Sequence, residues 1–167
     1  LGQSAALLNS VGIGLTNVIF TYVGISLIDK LGRRSLMYIG SIGYIISLTL
    51  ISLSFILDWG GVVLPIFLFL FIASHAIGQG AIIWVYISEI FPNHIRSYGQ
   101  SFGISTHWVL AAIIPSLIPY LFGSIGPGIV FGFFAFMMVL QLMFTHFIMP
   151  ETKGVSLEDL SKKLIKN

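Results

Sequence analysis

The chain has 167 residues, 56% hydrophobic and only 8% charged, with a mean hydropathy of +0.99. Soluble domains carry about 25% charged residues, so this composition cannot cover a water-facing surface and excludes a soluble globule. The net charge of +2 comes from eight Lys and Arg with no aromatic-interleaved basic stripe, which argues against a nucleic-acid partner, and the absence of Cys removes disulfides and thiolate metal sites.

Five apolar runs follow one another at 5–28, 36–57, 62–87, 101–122 and 128–149, and none contains Asp, Glu, Lys or Arg. A helix of about 20 apolar residues crosses the ~30 Å hydrocarbon core of a bilayer. Each run therefore predicts one transmembrane helix, and residues 1–149 form a five-span bundle in lipid. The first run has no basic n-region and carries Asn17 at its middle, so it is not read as a signal peptide. The chain opens on Leu1 rather than Met, and further sequence is expected before it.

In the first span Ser10, Gly14, Asn17, Thr21 and Gly24 recur at helical spacing and line one face. In lipid such a face must meet protein or a water-filled cavity. It is either a close helix contact or a cavity wall on which Asn17 offers an amide, and the two uses can occur at different depths. The third span carries His75, Gln79 and Trp84. On an ideal helix Trp84 points nearly opposite to His75, so both reach one cavity only if Gly78 and Gly80 loosen the helix between them. His75 by itself reads better as a bond to a neighbouring helix. The fourth span holds Ser105, Thr106, His107 and Trp108, then Pro115 and Pro119. Aromatic faces, amides and imidazoles without fixed charge suit a neutral polyhydroxy solute. The absence of Arg and Lys from the spans argues against an anionic one.

Lys30, Arg33 and Arg34 follow the first span, Arg96 follows the third, and Lys153, Lys162, Lys163 and Lys166 follow the fifth. Five spans put all eight cations on one side, which the positive-inside rule makes cytoplasmic. The tail, 150–167, is expected to end inside with a short surface helix. Ser156 and Asp159 resemble its capping box.

Three segments punctuate the cationic side: Asp29-Lys30-Leu31-Gly32-Arg33-Arg34, Glu89-Ile90-Phe91-Pro92-Asn93-His94-Ile95-Arg96 and Pro150-Glu151-Thr152-Lys153-Gly154. Together with Trp84 and Ser88 they resemble the D-K-x-G-R-R, W-x-x-x-S-E-I-F-P-x-x-I-R and P-E-T-K-G signatures of the sugar porter family of the major facilitator superfamily. They occur in the family's order and at its topological positions. The resemblance implies an all-α transmembrane bundle corresponding to spans eight to twelve, the C-terminal half less its first span. It implies no enzyme and no cofactor. It implies alternating access to a monosaccharide held between this half and an N-terminal half that precedes Leu1, by uniport or proton symport, in the plasma (inner) membrane.

By the same resemblance, Asn17, Trp84 and His107 approach the sugar; Gln79, Trp108 and Thr21 are further candidate contacts from the polar faces of their spans. Asp29, Arg33, Arg34, Glu89, Arg96 and Glu151 form an inner charge network that holds the outward-facing state. The chain departs from the family pattern in three places. Gly80-Ala81-Ile82-Ile83-Trp84 lacks the proline of G-P-x-x-W, His107 stands where Asn or Gln is commoner, and Ala76 occupies a position that is acidic in some facilitative relatives. A polyol carrier of the same superfamily and a non-transporting membrane fragment are the competing readings.

Overall fold

The structure, a computed structural model, describes residues 3–59, 61 and 63–155. These form six helices and no strand: α1 Gln3–Leu31, α2 Arg33–Ile56, α3 Val63–Ile77, α4 Gln79–Ile90, α5 Arg96–Ser124 and α6 Pro127–Phe147. The helix expected in the tail lies outside the described residues. With α3 and α4 taken as one interrupted rod, five segments are long and apolar enough to cross a membrane.

The helices are longer than the apolar runs inside them. The charged stretch between the first two apolar runs is almost wholly helical: α1 continues through Leu31 and α2 begins at Arg33. Only Gly32 separates them, at φ 90°. That left-handed geometry suits glycine, and a Cβ there would lie 2.5 Å from Glu151 Oε2. At the other end of the bundle Gly126, at φ 83°, turns the chain into α6, with Pro127 in its first turn.

α2 is the central rod. It packs most extensively against α6 and α3, while α1 lies on α3, and α5 touches only α4 and α6. Its buried residues include Leu36, Met37, Gly40, Ser41, Tyr44, Ser47, Leu48 and Ile51, at steps of three and one that keep to one face of the helix. In lipid, apolar side chains gain little by meeting each other rather than acyl chains, so small residues and buried hydroxyls carry helix association. Ser52 Oγ accordingly donates to Gly128 O at 2.6 Å, while Ser47 and Ser54 return to carbonyls of their own helix.

The break between α3 and α4 follows from the closest of these approaches. Gly78, at φ −94° and ψ −106°, leaves the helical region. A Cβ on Gly78 would lie 2.7 Å from Gly40 Cα, and one on Gly24 would lie 3.0 Å from the carbonyl oxygens of Ala76 and Ile77. Glycines of α1, α2 and the α3–α4 junction thus meet at one level. α5 keeps its helix through Pro115 and Pro119 and buries no residue.

Candidate functional site

The Gly78 break lies between His75 and Trp84 and re-aims α4 relative to α3. As a result both side chains line one cavity of about 400 Å³, together with Gln79, His107, Gln141 and Phe144. Trp84 of α4 meets His107 of α5 edge-on, with ring centroids 5.0 Å apart at 79°. Gly80 leaves room for the His75 ring: a Cβ there would lie 2.9 Å from His75 Nε2. His75 Nδ1 is hydrogen-bonded to the Tyr44 hydroxyl of α2, the inter-helix bond expected of it. Gln79 Nε2 donates to Ser41 Oγ at 3.2 Å and Gln141 Nε2 donates to the same oxygen at 3.1 Å. Among the described residues, no carboxylate and no cation lines this cavity.

The other sequence candidates lie elsewhere. Trp108 is 64% exposed, stacked edge-on against His107 at 5.5 Å but not on the cavity wall. Asn17 and Thr21 do not line the cavity either, because α1 packs on α3 and does not reach α5 or α6. Asn17 is exposed, and Thr21 Oγ1 donates to its Oδ1 at 3.4 Å. The polar stripe of α1 therefore divides by depth. Gly24 is a helix contact, whereas nothing lies within 4 Å of a Cβ placed on Gly14.

At the cation-rich end, Arg33 grips Glu89 with two hydrogen bonds, Nη2 to Oε1 at 2.7 Å and Nε to Oε2 at 3.1 Å. Its Nη1 reaches Asp29 Oδ1 at 2.9 Å. The side chains of Arg33 and Glu89 are 12% and 20% exposed, that of Asp29 84%. The paired geometry and partial burial make Arg33–Glu89 the strong contact and Asp29 a minor one. Glu151 works through backbone. Its oxygens accept the N–H groups of Arg33 and Arg34 at 2.9 and 3.0 Å, capping the N-terminus of α2, where the helix dipole favours a carboxylate. Thr152 Oγ1 donates to Glu89 Oε2 at 2.6 Å and Lys153 Nζ to Lys30 O at 2.7 Å. The segment after α6 thus ties together α1, α2 and α4.

Arg34 takes a different place. Its guanidinium donates to Thr145 O at 3.0 Å and to His146 O, the carbonyls at the end of α6. Arg96 stays apart from the cluster and donates from Nε to Phe91 O at 3.3 Å within its own turn.

The family model described as "Sugar (and other) transporter" matches residues 1–164. The chain belongs to the sugar porter family of the major facilitator superfamily. It is 38% identical to the arabinose-proton symporter of Bacillus subtilis over 99% of its own length and 36% of that protein. It is 35% identical to "Probable polyol transporter 3" of Arabidopsis thaliana, over 97% of this chain and 33% of that one. Among solved structures, the inward-open xylose transporter XylE of E. coli superposes with a TM-score of 0.88 at 30% identity, over 95% of this chain and 36% of that one. The chain thus spans about a third of the length of the relatives it matches.

Membership makes this an integral membrane protein of a transporter family rather than an enzyme. The missing proline of the sugar porter G-P-x-x-W pattern does not abolish the helix break here, because Gly78 supplies it. Sequence reasoning passed over Ser41, Gln141 and Thr152. Gln141 carried a visible signal, the one amide in a long apolar run. Ser41 carried none, being one of several serines in α2.

Proposed function

We propose that this chain is the C-terminal part of an alternating-access carrier for a neutral monosaccharide, a hexose or pentose, working as a uniporter or proton symporter. The observation that carries the reading is the cavity lined by residues of α2 to α6. It has an aromatic face in Trp84, imidazoles in His75 and His107, amides in Gln79 and Gln141 and, among the described residues, no fixed charge. Such a wall can cover the C–H face of a sugar and hydrogen-bond its hydroxyls. Family membership and the arabinose- and xylose-transporting relatives support it. Asn17, Thr21 and Trp108, on other faces of this half, are assigned to the sugar path that forms against the N-terminal half, which precedes Leu1 in this reading.

The charge cluster is the gate. Arg33, Glu89, Asp29 and Glu151 join the ends of α1, α2 and α4 to the segment after α6, and opening that end requires these contacts to part. Arg34 supports the same end through α6, and Arg96 joins only if its turn moves. The positive-inside rule supports reading the cation-rich face, and with it the C-terminus, as cytoplasmic, and the plasma (inner) membrane as the carrier's location is part of the same proposal. Protons are partners in the symport form.

A polyol carrier is the second reading, favoured by the Arabidopsis relative. The test is uptake by the complete carrier in vesicles, with labelled D-xylose, L-arabinose, D-glucose and a linear hexitol. Saturable uptake of one of the ring sugars is expected. Uptake of the hexitol alone would replace the monosaccharide by a polyol, and uptake of none would remove the reading.

A further inference from the structure

The packed pair α2–α6 has two sides. On one, Tyr44 and Phe131 share an apolar cavity with Phe71 of α3 and Ile114 of α5. On the other, Ile45, Thr49 and Leu53 of α2 and Gly132, Ala135 and Val139 of α6 line a groove of about 280 Å³, to which, among the described residues, no other helix contributes. At 3.6 residues per turn, Ile45 and Thr49 share a face with Arg34 and Tyr38, and Gly132, Ala135 and Val139 share one with His146. The groove therefore runs toward a polar cluster at the cation-rich end. A rise of 1.5 Å per residue sets it about 10 to 22 Å deeper in the membrane than Tyr38.

In that cluster the Tyr38 hydroxyl bonds His146 Nδ1 at 2.7 Å, and Arg34 Cζ lies 5.9 Å from the centroid of the Tyr38 ring. Arg34 spends two of its five N–H donors on Thr145 O and His146 O at the end of α6. Arg33 holds Glu89 and Asp29, but among the described residues no carboxylate pairs with the Arg34 guanidinium. Glu151 takes only its backbone N–H. The head of the groove thus carries a cation whose direction is set by α6 and whose other donors are open.

We propose that this groove binds one anionic phospholipid from the leaflet on the cation-rich side. The phosphate meets Arg34 beside Tyr38 and His146, and one acyl chain lies in the groove between α2 and α6. Charge complementarity selects the occupant, because a guanidinium fork suits phosphate and basic pockets between spans on this side take anionic headgroups. Depth agrees, since the chains of one leaflet reach from the headgroup to the middle of a ~30 Å core. The groove lies on the side of α2–α6 away from α3 and α5, and so away from the substrate cavity that the N-terminal half closes in the proposed function. The inference rests on that reading only for its lipid-facing position. Bound there, the lipid shares the guanidinium that ties the start of α2 to the end of α6.

The test uses the complete carrier in phosphatidylcholine vesicles with a trace of phosphatidylglycerol that carries a photoreactive diazirine in one acyl chain. The choline lipid with the same chain is the control. Crosslinks should map to 45–53 and 132–139, with about fivefold more from the glycerol lipid, the factor that one cation near an anionic headgroup supplies. Arg34→Gln should bring that yield down to the choline level. Lys30→Gln, which removes a neighbouring cation outside the groove, should change it less than twofold. If Arg34→Gln lowers membrane abundance, Val139→Trp keeps the guanidinium and fills the groove, and it should abolish the crosslinks there. Equal yields from the two headgroups, an equal loss in Lys30→Gln, unchanged yields in Val139→Trp, or no crosslinks to these two segments would overturn the site. Sugar uptake by the same vesicles is scored separately. Uptake with no headgroup preference removes the lipid site alone, and headgroup preference without uptake removes the carrier reading alone.

Discussion

Glu89→Gln tests the gate most directly. Glu89 receives three hydrogen bonds, two from the Arg33 guanidinium at 2.7 and 3.1 Å and one from Thr152 at 2.6 Å. The amide removes the charge and turns one acceptor into a donor facing a guanidinium. Breaking a fully buried ion pair costs about 3–5 kcal/mol. Glu89 is 20% exposed and Arg33 retains Asp29 at 2.9 Å, so the expected loss is nearer 1.5–3 kcal/mol, the range of a charge-assisted hydrogen bond. If the closed state makes these contacts and the open state does not, the whole loss falls on one state. The equilibrium then moves about 10- to 100-fold toward opening at the cation-rich end. The chain has no Cys, so a single Cys introduced beside the cluster adds one reporter to this segment. Its labelling rate by a membrane-impermeant thiol reagent, from the cation-rich side, should rise by that factor until it nears the fully open limit. Asp29→Asn, removing a partner that is 84% exposed, should change it less than about twofold. A labelling rate unaltered in Glu89→Gln would refute the gate.

Three further outcomes are expected. Trp84→Ala should raise the KM for sugar by about tenfold or more at unchanged membrane abundance, measured by uptake against quantified protein, because it removes the aromatic face against His107. Gly40→Ala places a Cβ 2.6 Å from the Gln79 side-chain Oε1, 2.8 Å from Gly78 Cα and 3.2 Å from Ser74 O, and the last two are backbone atoms that cannot swing away. Overpacking of this kind costs about 1–3 kcal/mol, and the purified variant should lose several degrees of thermal stability in detergent. Gly32→Ala combines a positive φ with a contact 2.5 Å from Glu151 Oε2. It should displace the Glu151 cap and raise labelling at the cation-rich end in the direction of Glu89→Gln, and wild-type labelling would exclude a role for that cap.

The number of spans was legible because a hydrocarbon core leaves a helix no alternative. An uncharged run of twenty or more residues must cross as a helix with every backbone bond internal. The family was legible in the charged segments, and the break in the third span in the density of glycines at Gly78 and Gly80. The helix ends were not legible. Charged residues beyond the core keep helical backbone in the interface, which hydropathy does not register, so α1 runs on to Leu31 and α2 starts at Arg33.

What the sequence determined by itself was the apolar spans, the sorting of charge to one face, the membership of a transporter family, and the residue types available for a neutral solute. These follow from composition, period and short motifs, which are local. Which residues meet was decided only by tertiary structure. Asn17 and Trp84 both sit in polar positions of their helices, yet only Trp84 lines the cavity, because α1 packs on α3 and α4 packs toward α5. Glu151 looked like one more charge for Arg33 or Arg34 to pair with. In the folded chain it caps their backbone N–H groups, while Arg34 turns to the end of α6. Gln141 and Ser41 are a hundred residues apart and meet only because small residues let α2, α4 and α6 approach closely. Contacts of that kind depend on helix rotation and crossing distance, which no local pattern in the chain encodes.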